Sequence, residues 1–254
     1  MPLHEVAARG FEAAAEAYDR GRPGYPAEAV EALAAALRLG PGVRVLDLGA
    51  GTGRLAALLA ARARPVLAAE PVVAMRRRLA AVGGAIPLGA VAESLPFRDG
   101  SLDAVAAAQA FHWFDGPRAL CEIHRVLRPG GRLGLLWNQR DDEVDWVRHV
   151  SRVVNAREGD APRYRSGLWR TAFEGAPGLF GPLQEYRFRH VQWLPRESVV
   201  DQVASVSFVA AMPEEERALL LDEVRRILER HPDTHDHAEV PLACRADLFW
   251  CERR

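Results

Sequence analysis

The chain contains 254 residues, 49% of them hydrophobic, with 33 basic side chains, 34 acidic side chains and a formal net charge of -1. This length and composition predict one α/β domain with a sizeable core, and the balance of charge argues against nucleic acid or an anionic membrane as a partner. The basic side chains are all arginine, and the sequence contains no lysine.

The first forty residues predict two helices joined by a turn. Residues 5–19 form the first predicted helix, and GRPGYP at 21–26 has the composition of a turn. Apolar residues at helical spacing in AEAVEALAAALRL predict the second helix over 27–39, which ends before a Gly-Pro-Gly sequence.

Short apolar runs then alternate with helical segments. The predicted strands cover 43–48, 65–70, 85–90, 102–108 and 131–138, and the predicted helices cover 53–62, 72–81 and 116–127. Such an alternation indicates βαβ units and a parallel sheet covered on both faces. The later predictions are a helix over 141–156, a strand over 181–194, two helices separated at Pro213 and a closing strand over 242–252. The predicted fold is therefore an α/β fold with a doubly wound, mostly parallel, seven-stranded, Rossmann-like sheet and helical lid insertions.

A glycine-rich turn follows the first predicted strand, at the edge where open α/β sheets bind ligands. A P-loop is excluded because it requires a lysine. Gly49 and Gly51 fit the first two positions of the dinucleotide fingerprint G-x-G-x-x-G, but its third position falls on Arg54. An ordinary tight turn without a ligand is the remaining alternative.

The sequence DLGAGTG at 47–53 resembles motif I of the class I methyltransferases that use S-adenosylmethionine (SAM). The segment ALCEIHRVLRPGGRL resembles the helix, turn and fifth strand of that family, and the likeness is closest to the type 11, small-molecule branch. The glycines allow the amino-acid and ribose parts of SAM to approach the backbone. An acid at Asp47 would favour the sulfonium and the ammonium. The resemblance therefore implies a SAM site that includes Asp47, Gly49, Ala50 and Gly51.

Further candidates for the SAM site follow the next strands. Glu70 ends the second predicted strand, where an acid accepts the ribose hydroxyls in NAD enzymes and SAM enzymes alike. The segment GAVAESLPF resembles the adenine-binding segment of the family and implies contacts at Ala92 and Glu93. Gln109, at the end of the fourth strand, is expected to face the methionine part of SAM. Met75 is a candidate for contact with adenine, and core packing is its alternative role.

The N-terminal sequence AEAYDRGRPGYP resembles a segment found in some of these enzymes. Tyr18 and Arg22 are therefore candidates for closing the site, with the guanidinium on the SAM carboxylate. Ordinary surface contacts are the alternative. The predicted organisation is one domain over 1–254, made of an N-terminal helical cover at 1–40, a SAM-binding core at 41–138, cap insertions and a sixth strand at 139–240, and a closing strand at 241–254.

Methyl transfer from SAM is an in-line displacement at an activated carbon, so the enzyme supplies mainly proximity and alignment. His112, after the fourth strand, is a candidate general base if the acceptor must lose a proton. Packing in an aromatic cluster is the alternative. Four residues after the fourth strand and at the end of the fifth are candidates for shaping or anchoring an acceptor, and Arg140 suits an anionic one: Trp113, Trp137, Asn138 and Arg140.

The predicted function is SAM-dependent methyl transfer to a small organic acceptor with a carboxylate, hydroxyl or amine. Two alternatives stay open. One is an NAD(P)-dependent oxidoreductase, against which Arg54 and AESLP argue, and the other is a SAM-binding protein without catalysis. The fourth strand is not followed by an Asn/Asp-Pro-Pro-Tyr/Phe motif, which again argues against nucleic acid.

The remaining features concern location and partners. Three cysteines without CxxC spacing and a charged N-terminal stretch fit a reducing cytoplasm and argue against a signal peptide. No stretch is apolar enough to span a bilayer, so no membrane partner is expected. His235 and His237 lie two residues apart without a cysteine partner, and we predict no metal site. We expect a monomer or a homodimer.

Overall fold

A computed structural model describes residues 24–254 as a seven-stranded mixed sheet with helices on both faces. The strand order is β3-β2-β1-β4-β5-β7-β6. The first five strands in this order run parallel, β7 is antiparallel to β5, and β6 is antiparallel to β7. The strands are β1 (Pro41–Leu48), β2 (Arg64–Ala69), β3 (Ile86–Leu88), β4 (Leu102–Ala108), β5 (Leu127–Arg140), β6 (Gln184–Pro195) and β7 (Glu239–Glu252). The predicted doubly wound, mostly parallel sheet is confirmed.

In the described chain one helix precedes β1, helices lie between β1 and β2, between β2 and β3 and between β4 and β5, and the others follow β5. The helices are α1 (Ala27–Ala36), α2 (Arg54–Ala60), α3 (Val73–Val82), α4 (Gly116–Val126), α5 (Asp145–Asn155), α6 (Thr171–Glu174), α7 (Arg196–Ala204), α8 (Ser207–Ala210) and α9 (Glu214–Arg230). Short 3-10 turns lie at Phe111–Trp113, Tyr164–Ser166 and Leu168–Arg170.

The side chains of the parallel strands point alternately to the two faces of the sheet, and one apolar core lies on each face. In β4, Val105 and Ala107 belong to the core that includes α4, whereas Ala104 and Ala106 belong to the core that includes α1 and α2. Successive strand residues point to opposite faces, so a strand buried on both sides must be apolar throughout. This requirement explains the uninterrupted apolar sequence of β4.

A third apolar core is built from the second half of the chain. It joins α5, α7, α8 and α9 with the first residues of β7. Val147, Val150 and Val154 form the buried stripe of α5 at helical spacing. The helices that follow the fifth strand therefore pack on one another and on the antiparallel part of the sheet.

Element boundaries differ from the sequence prediction at several elements, among them β5 and the helical segment after β6. β5 begins at Leu127, which pairs with Leu102 of β4, and it extends to Arg140 because β7 pairs with it as far as Arg140–Cys244. The helical segment after β6 is broken at Ser205 as well as at the predicted Pro213. The Ser205 hydroxyl donates to the Gln202 carbonyl over 2.7 Å, and such side-chain bonds to the backbone compete with the hydrogen bonds of a helix.

The strand order reverses between β1 and β4, and this point positions the candidate site. From β1 the chain builds outward through β2 and β3, and it then returns to add β4 and β5 on the other side. The carboxyl ends of parallel strands beside such a reversal form a crevice in which open α/β sheets bind ligands. The predicted helix over 5–19, Tyr18 and Arg22 lie outside the described residues.

Candidate active site

A cavity of about 430 Å³ opens at the carboxyl ends of β1, β4 and β5. It extends from the glycine turn to the segment after β5, to α7 and to β7. This volume lies in the range of small-molecule sites. Nine residues predicted from the sequence line it: Asp47, Gly49, Ala50, Gly51, Gln109, His112, Trp113, Asn138 and Arg140.

The three glycines of the turn have different roles, although all have a positive φ. A Cβ on Gly49 would lie 2.6 Å from Ala110 Cβ, and a Cβ on Gly53 would lie 2.6 Å from Leu79 Cδ1 in α3. These two glycines therefore allow close packing. Gly51 has a φ of +57°, and a Cβ there would meet no atom of the described chain within 4 Å beyond its two neighbours in sequence. Its missing side chain leaves room for a ligand on the cavity side.

Protein acceptors occupy most of the amide groups of the turn. The N–H groups of Gly49 and Ala50 donate to the Ala69 carbonyl over 2.9 and 3.0 Å. The Gly51 N–H donates to Glu70 Oε2 over 2.9 Å, and the Gly53 N–H donates to the Ala50 carbonyl over 2.9 Å. A phosphate-binding turn directs such groups at its ligand. This turn is therefore poorly suited to hold a pyrophosphate.

Asp47 is a buried acid without a partner. Its side chain lines the cavity, and neither carboxylate oxygen has a hydrogen-bond partner within residues 24–254. Burial raises the pKa of this carboxyl to about 7, and the charge of Glu70 adds to the increase. The Ala56 N–H opposes it, although it does not reach hydrogen-bond geometry. Because burying an unpaired acid is costly, this carboxyl is matched to a cationic ligand group.

Glu70 joins the turn to the following helix. Its two carboxylate oxygens accept the N–H groups of Gly51 and Val72 over 2.9 and 2.8 Å. Burial raises the pKa of Glu70, and the two backbone donors oppose that increase. A carboxylate accepts about four hydrogen bonds, so two more remain possible. The side chain is buried and does not line the cavity.

Gln109 and Asn138 connect the ends of β4 and β5. Gln109 has a φ of +57°, which is rare for a residue with a side chain, and its Nε2 donates to the Asn138 carbonyl over 2.6 Å. Asn138 Nδ2 donates to the Gly24 carbonyl over 2.8 Å, and Asn138 Oδ1 lies 3.1 Å from His190 Nε2. This network fixes two polar side chains at the cavity and brings the chain at Gly24 beside them.

His112 is held by a neighbouring tryptophan. The indole Nε1–H of Trp137 donates to His112 Nδ1 over 3.1 Å. Because an indole nitrogen only donates, Nδ1 carries the lone pair and the proton of the neutral ring lies on Nε2. In this tautomer the second ring nitrogen is a donor. The general-base role of His112 stays a prediction, and it requires the ring to turn or to change tautomer.

Trp137 lies behind the cavity wall. The side chain is fully buried and does not line the cavity. Its ring lies 4.6 Å from both the Tyr164 ring and the Trp169 ring, which do line it. Trp137 thus supports the wall and orients His112.

The candidates for contact with adenine also lie outside the cavity. Met75 and Ala92 are buried. Glu93 is half-buried, and its Oε1 accepts the Asp115 N–H at the start of α4 over 2.8 Å. The adenine contacts of these three residues stay a prediction.

Several cavity residues were absent from the sequence prediction. They come from the segment PRYRSGLWR, from α7 and from β7: Arg163, Tyr164, Trp169, Gln202 and Arg245. The alternation of arginine with aromatic residues in that segment was a usable signal. A second was the sequence CRAD, which places an acid inside an otherwise apolar strand.

Gln202 shares with Asp47 the property of being buried without partners. Its Nε2 and Oε1 make no hydrogen bond to residues 24–254, and the side chain lines the cavity. In the described part of the chain these are the two residues with such buried atoms. Native proteins rarely leave both ends of a buried amide unsatisfied, so a ligand is the expected partner.

One cluster of side chains of the metal-binding type lies away from the cavity, among the residues the structure describes. Asp145, His149 and His231 place one ligand atom each within 4.8 Å of one another. His231 Nδ1 accepts the Asp233 N–H over 3.2 Å, which leaves the proton on Nε2, 3.0 Å from Asp145 Oδ2. A hydrogen-bonded pair accounts for this contact. His235 and His237 are not part of the cluster.

Comparison with known proteins identifies the family. A family model described as a methyltransferase domain matches residues 46–135. An uncharacterized methyltransferase of Mycobacterium tuberculosis is 43% identical over 87% of this chain and 86% of its own length. The chain belongs to the class I, type 11 methyltransferase family. A methyltransferase-like protein of Schizosaccharomyces pombe is 31% identical, over 93% of this chain and 92% of its own length.

The methyltransferase fold is also found in solved structures. The structure of an Anaeromyxobacter dehalogenans protein assigned to the type II methyltransferases superposes with a TM-score of 0.68, at 24% identity, over 92% of this chain and 97% of that chain. Within residues 24–254 of this methyltransferase, no helix combines the length and apolar character needed to cross a membrane.

Proposed function

We propose that this methyltransferase uses SAM and transfers its methyl group to a small organic acceptor. The observation that carries the proposal is the buried, unpartnered carboxylate of Asp47 in the cavity. SAM brings a sulfonium and an ammonium, which an ionised Asp47 would stabilise. The same carboxylate would repel the pyrophosphate of NAD, and the amide groups of the turn already have acceptors. The oxidoreductase alternative is therefore disfavoured.

The residues that would hold SAM follow from this placement. Asp47 would stabilise the cationic amino-acid end, and the open position at Gly51 would accept the chain between that end and the ribose. The remaining lone pairs of Glu70 would accept the ribose hydroxyls. Bound SAM supplies an activated methyl group, and the chain supplies alignment of the acceptor with it. Gln109 is held rigidly at the same edge for contact with the methionine part.

The acceptor is proposed to enter from the side opposite to the glycine turn. Residues of α5 and α7 line that side of the cavity, and the apolar faces of these two helices belong to the third core. A cavity lined in this way excludes water from the reacting atoms and suits a small molecule. We place Trp113, Asn138 and Arg140 in its wall and keep the cytoplasm as the proposed location.

A matched pair of glycine variants tests the SAM site. Gly51→Ala and Gly42→Ala both put a side chain at a positive φ with open space around it, at opposite ends of β1. Placing an alanine at a positive φ should lower the free energy of unfolding by about 1 kcal/mol in both variants. Titration with S-adenosylhomocysteine (SAH) should show tight binding for the parent protein and Gly42→Ala and clearly weaker binding for Gly51→Ala. Equal affinities of the two variants would contradict the placement of SAM at the turn.

A further inference from the structure

The charges of the cavity are distributed unequally between its two sides. Of its lining residues, six are arginines and two are aspartates. Asp47 and Arg54 belong to the glycine turn and α2, whereas the other arginines come from the end of β5, from 163–170 and from β7: Arg140, Arg163, Arg165, Arg170 and Arg245. The side proposed for SAM contains the unpartnered acid Asp47, whereas the opposite side has these five arginines and one acid, Asp142.

The acids that pair with these arginines lie behind the cavity wall. Arg245 donates through Nε and a terminal nitrogen to Asp247, which is fully buried and also accepts the Tyr164 hydroxyl over 2.7 Å. Burial and Asp247 together raise the pKa of Tyr164. Within residues 24–254, Arg245 Nη1 makes no hydrogen bond, so its two N–H groups stay available to a ligand.

Other arginines of this wall are also anchored on the protein. Arg163 lies over the Phe208 ring at 5.1 Å and has its Nε 3.8 Å from Glu158. Arg140 donates from Nε to the Ser151 hydroxyl over 3.2 Å, so this contact brings no negative charge. Neither Glu158 nor Asp247 lines the cavity. An anion entering the cavity therefore meets the guanidinium groups before it meets their carboxylate partners.

Gln202 provides an independent indication that a ligand binds on this side. Its amide is buried, lines the cavity and has both of its polar atoms unpartnered. The amide nitrogen offers two donors, which suit the oxygens of a carboxylate or a phosphate. His112 adds the Nε2–H donor that its contact with Trp137 defines. Donors thus predominate on this side of the cavity.

We propose that the methyl acceptor is an anion, with a carboxylate or a phosphate monoester held by Gln202 and by the arginines of the cavity wall. This inference rests on the proposed function, because it assigns the cation-rich side to the acceptor. Charge-assisted hydrogen bonds from arginine are strong and geometrically specific for these two groups. The anionic group is the part of the acceptor that the cavity recognises. The anion and the sulfonium of SAM would also attract one another within the same cavity.

The test measures binding of matched acids and neutral molecules to the SAH-loaded protein. The pairs are benzoate with benzamide and phenyl phosphate with phenol, titrated by saturation-transfer NMR. Loading with SAH first fills the site for its own carboxylate, so a second anion must bind elsewhere. At least one anion should bind about tenfold or more tightly than its neutral partner, and added salt should weaken it. The two pairs distinguish a carboxylate site from a phosphate site.

Three variants show whether this anion site is the one described. Arg163→Gln should weaken binding of the preferred anion about tenfold, and Gln202→Glu should abolish it, because it adds a negative charge to the site. Arg152→Gln is the matched control, since Arg152 is exposed on α5 and does not line the cavity; it should bind the anion like the parent protein.

The outcomes separate this inference from the proposed function. Failure of the parent protein to bind SAH would contradict the proposed function itself. Three results obtained with normal SAH binding would overturn the anionic acceptor and leave SAM use intact. They are equal affinity for each acid and its neutral partner, no binding of either anion, and equal effects of Arg163→Gln and Arg152→Gln.

Discussion

Replacing Asp47 by Asn should change the pH dependence of folding stability. The pKa of Asp47 is about 7 in the folded protein, against an ordinary value of 3.8. The folded state therefore binds this proton more tightly than the unfolded state does, and the acid lowers stability as the pH rises from about 4 to about 7. Each pH unit in that window corresponds to about 1.4 kcal/mol. Between pH 5 and pH 8 the loss amounts to about 3 kcal/mol.

Urea denaturation of the parent protein and of Asp47→Asn at pH 5 and pH 8 measures this effect. The other titrating groups are common to both proteins and largely cancel in the difference between their free energies of unfolding. That difference should shift by about 3 kcal/mol in favour of Asp47→Asn between pH 5 and pH 8. If the two proteins show parallel pH dependences, Asp47 is not a buried acid with a raised pKa, and the reasoning is refuted.

The same variant should lose affinity for SAM although it gains stability. Ionised Asp47 would interact with the cationic groups of SAM, so SAM binding by the parent protein should tighten as the pH rises toward 7. Asp47→Asn should bind SAM about tenfold or more weakly and should lose this pH dependence. Opposite effects on stability and on affinity are typical of a residue kept for its ligand. An unchanged SAM affinity would remove Asp47 from the site.

Three further substitutions have defined outcomes. Glu70→Ala should weaken SAH binding in a protein that still folds, with a loss of about 1–3 kcal/mol for each backbone donor left unpaired; unchanged affinity in calorimetry would show that Glu70 does not bind the ribose. His112→Ala should lower turnover of an identified acceptor far more than SAH affinity, and an unaltered rate would remove any catalytic role for this side chain. Gly53→Ala should destabilise the fold by about 1–3 kcal/mol more than Gly130→Ala in urea denaturation. Both glycines have a positive φ, but only a side chain at position 53 would contact Leu79. Equal losses of stability would show that the packing on α3 is not tight.

Local patterns in the sequence account for the parallel part of the fold. β4 is predicted over the residues that it occupies, 102–108, because an apolar run between turn residues has one stable placement inside a doubly wound sheet. Its carboxyl end then determines where Gln109 and His112 lie. The helix of Ala27–Ala36 is likewise predicted from its apolar stripe. Residues at the ends of these strands meet because parallel strands present their carboxyl ends on one edge.

The acceptor side depends on contacts that local sequence does not contain. Arg163, Gln202 and Arg245 come from three separate segments, and they meet only when the third core packs against β7. The alternation of arginine with aromatic residues marks the segment of Arg163, but no local pattern marks Gln202 or Arg245 as cavity residues. The helix break at Ser205 was missed for a similar reason, because it depends on one side-chain hydrogen bond to a carbonyl. The inward position of Trp137 also follows from tertiary packing against Tyr164 and Trp169.

The central claim is that the cavity at the glycine turn binds SAM, and a side-by-side calorimetric titration with SAM and with NAD tests it most directly. The two ligands share an adenosine part and differ in the charge that would lie next to Asp47. We predict saturable binding of SAM with one equivalent per chain and no binding of NAD. Tight binding of NAD without binding of SAM would contradict the account.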